Sequence, residues 1–356
     1  MIPINAPIFD EEELKMVKKV IQQGAMTDAS YNGGNYVREF ESGIRSFVGA
    51  RDAIAVNSGT AALHVALMAI GVGPGDEVLL PSMTFIASAN AVKATGARPV
   101  FVDVDEYYTI DSKKIEEKVT SRSKAIMPVH LYGHTADMSA IMKIAKERSL
   151  YVIEDAAQSL GSVYGTKMTG TIGHIGCYSF YPGKVMTTGE GGALVTDDYE
   201  LADRARMLRN HGYDAHNSLS GFGLNYRLNQ LSASIGISQL KKLPGFLQMR
   251  ASNASVLNML LDERIRPKVR DGSRYNWYLY TIRSERRNQI SAALRAKGID
   301  SRVYYDPPVH LTKAYLGQKG LPRTEEYSTS VLSLPVNPLV KSADLETMAS
   351  TVNSII

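Results

Sequence analysis

Cysteine is nearly absent: Cys177 is the single one in 356 residues, which excludes an intrachain disulfide and fits a reducing, cytoplasmic compartment. No block of like charge interrupts the chain. Its 40 basic residues are interspersed with 36 acidic ones, so no arm for nucleic acid is expected. No apolar run is long enough to span a bilayer, and the N-terminal MIPINAPIFDEEELKMV has no basic n-region ahead of an apolar stretch. Neither a signal peptide nor a membrane anchor is therefore expected. His64, His134, His174, His211 and His216 show no metal-ligand spacing, and no metal site is expected. Internal repeats and low-complexity tracts are also missing.

What is present is the composition of a globular protein large enough for one sizeable domain and a smaller one. From about residue 50 to 200, short apolar runs alternate with helical patterns: AIAV, EVLLP, PVFVDV, AIMPVHLYG and YVIED read as strands. Helices are expected at Thr60–Ile70, Phe85–Ala94, Ser112–Val119 and Met138–Arg148. That rhythm predicts an α/β fold with a mainly parallel sheet covered on both faces. In such sheets ligands lie at the carboxyl ends of the strands. Ser58, Pro81, Asp103, His130 and Asp155 all fall at or just past such ends. A second helix is expected over Asn229–Leu243, and Pro244–Gly245 reads as a hinge, which divides the chain into residues 1–243 and 244–356. The latter holds a strand, NWYLYTI, and a C-terminal helix from Ala343.

The stretch Tyr178–Gly192, YSFYPGKVMTTGEGG, places Lys184 just past an apolar strand, ahead of a glycine-rich loop. The strand YVIED, upstream, ends in Glu154 and Asp155. A lysine and a carboxylate at two strand ends match the needs of pyridoxal phosphate. Its aldehyde is held by a lysine, and its ring nitrogen stays protonated beside an acid. Strand alternation sends Glu154 and Asp155 to opposite faces, so one of them reaches a ligand there. VNSGTAALHVAL runs from a strand through Ser58, Gly59 and Thr60 into a helix N-terminus, where free N–H groups and the helix dipole favour a phosphate. Phe85 stands either as an aromatic face for a flat ring or as a core residue. Gln158 follows Asp155 by three residues, on the same side of a helical turn. Cys177 reads as core, as does RYNWYLY.

NSGTAAL, EDAAQSLG, SFYPGK with TTGEGG, and GLNYRLNQLSASIG occur in the order and spacing of the DegT/DnrJ/EryC1/StrS aminotransferases. The chain resembles that family over nearly its whole length. The resemblance implies a fold-type-I enzyme whose large domain holds a mainly parallel seven-stranded sheet, with a smaller C-terminal α/β domain. It implies that Lys184 holds the aldehyde of pyridoxal 5'-phosphate and shuttles the proton, with Asp155 on the ring nitrogen and Gln158 on the ring hydroxyl. Ser58, Gly59, Thr60 and Ser179 would surround the phosphate, and Phe85 would stack on the ring. Asn225 would reach the phosphate of a partner subunit, which makes a homodimer with shared sites the expected unit. His130 and His310 stand as substrate contacts, and Arg227 either meets a nucleotide diphosphate or anchors its loop. The implied reaction moves an amino group from an amino acid, L-glutamate, to a nucleotide-linked keto sugar. Two alternatives stay open: a keto-cyclitol or aminobenzoate precursor as acceptor, and a non-catalytic regulator on the same fold. Relatives that carry histidine at the lysine position are sugar dehydratases, and Lys184 argues against that. MTDASYNGGNYVREFE departs from the tryptophan-containing segment common in the family, which leaves the sugar itself open.

Overall fold

The computed structural model describes residues 1–315, 317 and 320–356. Two helices open the chain, α1 (Glu11–Gln23) and α2 (Asn35–Val48). Then come β1 (Asp52–Val56), α3 (Gly59–Ala69), β2 (Glu77–Pro81), α4 (Ala87–Ala94), β3 (Arg98–Val102), α5 (Ser112–Ile115), β4 (Ser123–Ile126), α6 (Met138–Arg148) and β5 (Tyr151–Asp155). Two short strands, β6 (Val163–Tyr164) and β7 (Lys167–Met168), lead to β8 (Ile175–Ser179), β9 (Gly192–Thr196) and α7 (Tyr199–Arg209). The long helix α8 (Gln230–Leu260) is followed by β10 (Ser273–Arg274), β11 (Tyr280–Arg283), α9 (Arg287–Ala296), α10 (Pro322–Ser330), β12 (Val331–Leu334) and α11 (Ser342–Asn353).

Seven strands form the main sheet in the order β1-β9-β8-β5-β4-β2-β3, and β9 alone runs against the others. This is the mainly parallel α/β sheet that the alternation of strands and helices predicts. Strand periodicity decides which helices cover which face. In β1, Ala53 and Ala55 pack with Phe40 and Ile44 of α2, while Ile54 and Val56 join the core made with α3 and α7. Helix α3 is apolar nearly all round because it is enclosed by the sheet, α4 and α7. A separate core gathers β11, β12, α9, α11 and the end of α8 around Tyr280, Ile290, Leu332 and Met348. The first residues of the chain belong with it: Ile2 N donates to Gly298 O at 2.7 Å, and Asp300 N to Ile2 O at 2.9 Å.

The expected hinge at Pro244–Gly245 is corrected by the structure. Helix α8 runs unbroken through both residues for 31 residues. Proline inside a helix removes one backbone bond and costs about 3 kcal/mol. Burial outweighs that cost here: Leu243 and Phe246 are both buried, and α8 packs along α1 and α2. The helix links the two cores, with Leu243 in the first and Ala254 and Leu257 in the second. The expected strand over NWYLYTI is also shorter, covering Tyr280–Arg283. Residues 276–279 are irregular, with Trp277 at φ 52°, and turn toward the carboxyl end of the sheet.

Candidate active site

Parallel pairing of β5 with β8 sets Asp155 opposite Cys177, two residues before β8 ends at Ser179. Beyond it the chain turns: Lys184 N donates to Tyr181 O at 2.9 Å and Thr188 N to Phe180 O at 3.0 Å. Phe180 anchors this loop in the core, edge-on to Phe40 at 5.2 Å between ring centroids. The loop holds Lys184 Nζ over the ring of Tyr278, 4.9 Å from its centroid. Among the described residues the amine has no hydrogen-bond or ion-pair partner. Burial brings its pKa down to about 8, against the opposing pull of the Asp155 carboxylate. At that value the group exchanges protons readily near neutral pH.

Asp155 is 5% exposed. Ser88 Oγ donates to its Oδ2 at 2.7 Å and Ala157 N to its Oδ1 at 3.2 Å. Burial pushes its carboxyl up, although Ser88, Ala157 and Lys184 favour the charged form. Glu154 points to the opposite face, as strand alternation requires. There it accepts from Gly170 N at 2.7 Å, Ile172 N at 2.7 Å, Gly173 N at 2.6 Å and His130 Nε2 at 2.9 Å. Burial alone would raise this carboxyl, but the bonds from His130, Gly173 and Gly170 hold it below the usual range. Glu154 is thus a buried anion that pins the turn before β8 beneath the sheet.

Removing it is expected to be costly. Glu154→Ala leaves His130 and three N–H groups unpaired, and breaking a buried charged pair costs about 3–5 kcal/mol. A urea titration reads this, and a loss below about 1 kcal/mol would show that the network is dispensable. Because the folded carboxyl lies low, its contribution is full above the ordinary carboxylate pKa of about 4.3 and is lost as pH falls through the folded value. The variant is therefore expected to lose less stability on acidification than the wild type.

The histidines are corrected by the same contacts. His130 is fully buried; its Nδ1 accepts from Ala136 N at 3.1 Å, so Nε2 carries the hydrogen that Glu154 accepts. Neither ring nitrogen is left for a substrate. His310 is fully buried as well, with Nδ1 2.6 Å from Ser82 Oγ and Nε2 3.2 Å from Glu325 Oε1. It fastens the segment before α10 to the end of β2. Arg227 donates to Asn210 Oδ1 at 2.8 Å, which is the loop-anchoring arrangement.

The remaining residues converge on the strand ends. Ser58 caps α3, its Oγ accepting from Ala61 N at 3.1 Å. A Cβ on Gly59 would lie 2.6 Å from Ser179 Cβ, and one on Gly192 would lie 2.4 Å from Ser58 O. The backbone therefore closes into a shallow cradle that only glycine permits. The N–H groups of Gly59 and Thr60 belong to the first turn and have no intrahelical acceptor. The Ser179 hydroxyl has no partner among the described residues. Such a cradle fits a phosphate group. Phe85, at the entrance to α4, is 60% exposed, which removes the core reading and leaves its ring free to stack. Gln158 is more constrained than its spacing suggests: its Oε1 accepts from Tyr132 N at 2.8 Å and its Nε2 donates to Tyr305 OH at 2.8 Å. One amide hydrogen remains for a ligand. Asn225 is exposed and its side chain is unpartnered, while its backbone O accepts from Asn57 Nδ2 at 3.4 Å. Sequence reasoning missed Ser88, Tyr278 and Tyr305. Ser88 lies three residues after Phe85, a spacing that could have revealed it; the tyrosines carried no local signal.

A model of the DegT/DnrJ/EryC1/StrS aminotransferase family matches residues 7–353. The chain belongs to that family. It is an aminotransferase by descent, of a family whose enzymes depend on pyridoxal phosphate. It is 40% identical to the dTDP-3-amino-3,4,6-trideoxy-alpha-D-glucose transaminase of Streptomyces venezuelae, over 92% of this chain and 89% of that one. It is 38% identical to a pleiotropic regulatory protein of Geobacillus stearothermophilus, over 95% of each chain. The crystal structure of S. venezuelae DesV superposes with a TM-score of 0.92 at 36% identity, covering 98% of both chains. No helix among the described residues is long and apolar enough to cross a membrane.

Proposed function

We propose that this aminotransferase uses pyridoxal phosphate to move an amino group from L-glutamate to a keto sugar carried on a nucleotide. The observation that carries the reading is the unpartnered amine of Lys184, held beside the buried Asp155 and next to the Gly59 cradle. When bound, the cofactor supplies an electron sink for the pair released as the donor Cα–H bond breaks. Lys184 would hold the cofactor covalently, and its amine, whose pKa burial lowers to about 8 in the cofactor-free protein, would take the proton from the donor carbon and deliver it to the carbon that carried the cofactor's aldehyde. Asp155, fixed by Ser88, would pair with the ring nitrogen and keep it cationic. Gly59, Thr60 and Ser179 would hold the phosphate, Phe85 would cover the ring, and Gln158 would offer its free N–H to the ring hydroxyl.

The exposed, unpartnered Asn225 supports a homodimer in which it completes the phosphate site of a second copy. The separate core beyond Ala254 supports a smaller C-terminal domain that closes one side of the site through Tyr278 and Tyr305. The buried thiol of Cys177 is consistent with the cytoplasm. The purified protein is expected to show a visible absorbance band with pyridoxal phosphate that disappears on adding L-glutamate. Nucleotide-linked keto sugars should restore it. A band that ignores glutamate overturns the donor, and restoration by keto-cyclitols alone overturns the acceptor. No band at all would make the chain a regulator.

A further inference from the structure

Away from this site, a cavity of about 480 Å³ opens between the loop after β3 and elements of the C-terminal half. Seven lysine and arginine side chains line it against four carboxylates. Part of that charge is matched: Arg270 pairs with Asp105 and Lys268 with Glu106. The rest is not. The guanidinium of Arg283 comes only within 3.7 Å of Glu326, and that of Arg323 within 3.9 Å of Asp111. Neither guanidinium makes a hydrogen bond to the described residues, and the Lys113 ammonium has no partner there at all. Arg283 nonetheless lies over the ring of the buried Tyr327, its Cζ 4.5 Å from the centroid. A stacked guanidinium keeps its donor edges free and loses little further freedom on binding. Planar forks of this kind match the oxygens of a phosphate.

A wall of buried rings separates the cavity from the candidate active site. Tyr327 meets Tyr108 at 5.5 Å, Tyr108 meets Tyr132 at 5.8 Å, and Tyr132 meets Tyr305, the partner of Gln158, at 5.8 Å. We propose that this cavity is a second ligand site, which takes a phosphorylated small molecule through a diphosphate held by Arg283, Arg323 and Lys113. The proposal does not depend on the identity of the amino acceptor.

Calorimetric titration of the cofactor-loaded enzyme with inorganic pyrophosphate, at constant ionic strength, tests it. Wild type is expected to bind one equivalent per chain more than the Arg283→Gln/Arg323→Gln variant, with kcat unchanged. Lys113→Ala, at an exposed position of α5 away from the Tyr327 ring, is expected to weaken that equivalent roughly tenfold. Repeating the titration with UDP separates sources: displacement of pyrophosphate by UDP identifies a nucleotide diphosphate as an occupant, and its absence restricts the site to simpler phosphates. Equal stoichiometry in wild type and the double variant overturns the proposal. So does a signal that raised salt removes equally from both.

Discussion

Lys184→Ala is expected to lower kcat by about 10⁴-fold, the upper range for losing a positioned acid–base group, while the protein stays folded and still takes up cofactor noncovalently. The structural reason is that nothing replaces the amine. Among the described residues no second lysine shares the space over Tyr278, and His130 and His310 are locked by Glu154 and Glu325. Lys184→Arg is expected to fail equally, because a guanidinium cannot deprotonate near neutral pH. The pH dependence supplies an independent readout. With a pKa of about 8, the free amine becomes tenfold scarcer with each pH unit below that value. Capture of the cofactor aldehyde by the cofactor-free protein should therefore rise with pH and level off above about 8. Single-turnover activity of Lys184→Ala near the wild-type rate would refute the assignment.

Much of this site was legible before the structure because its residues lie at strand ends, and strand ends are marked by short-range pattern. Buried parallel strands read as apolar runs, the runs fix the crossovers, and the crossovers bring residues 59, 155 and 184 to one edge. Long-range partners were not legible. Nothing local says that His130 is occupied by an acid 24 positions away, or that His310 meets Ser82 across 228 positions. Alternation showed that Glu154 and Asp155 diverge, but only the fold of Gly170–Gly173 shows which side is closed off. Pro244 misled for a related reason. Its cost is local and readable, whereas the burial along α1 and α2 that offsets it depends on the assembled core. Trp277 and its neighbours look like strand by composition, yet the chain bends there to bring Tyr278 under Lys184.

The second large effect is expected at Asp155. Asp155→Ala should lower kcat by roughly 10²–10⁴-fold, because losing one member of a buried charged pair costs about 3–5 kcal/mol. The sign follows from the environment. Burial pushes this carboxyl up, so in the cofactor-free protein its charge is held at a cost that Ser88, Ala157, the Lys184 amine and His130 offset. A cation brought against it converts that cost into attraction, and a neutral side chain removes the attraction while keeping the burial. Asp155→Asn separates charge from shape: the amide can keep a bond to Ser88 Oγ, which donates at 2.7 Å in the wild type, but cannot hold a ring nitrogen protonated. It should therefore be nearly as slow as Asp155→Ala while melting closer to wild type. Ser88→Ala, which removes the positioning bond and leaves the carboxylate, should fall between these two variants and the wild type, losing about tenfold. If Asp155→Asn turned over at the wild-type rate, the carboxylate would be structural and the cation would have to be held elsewhere in the site.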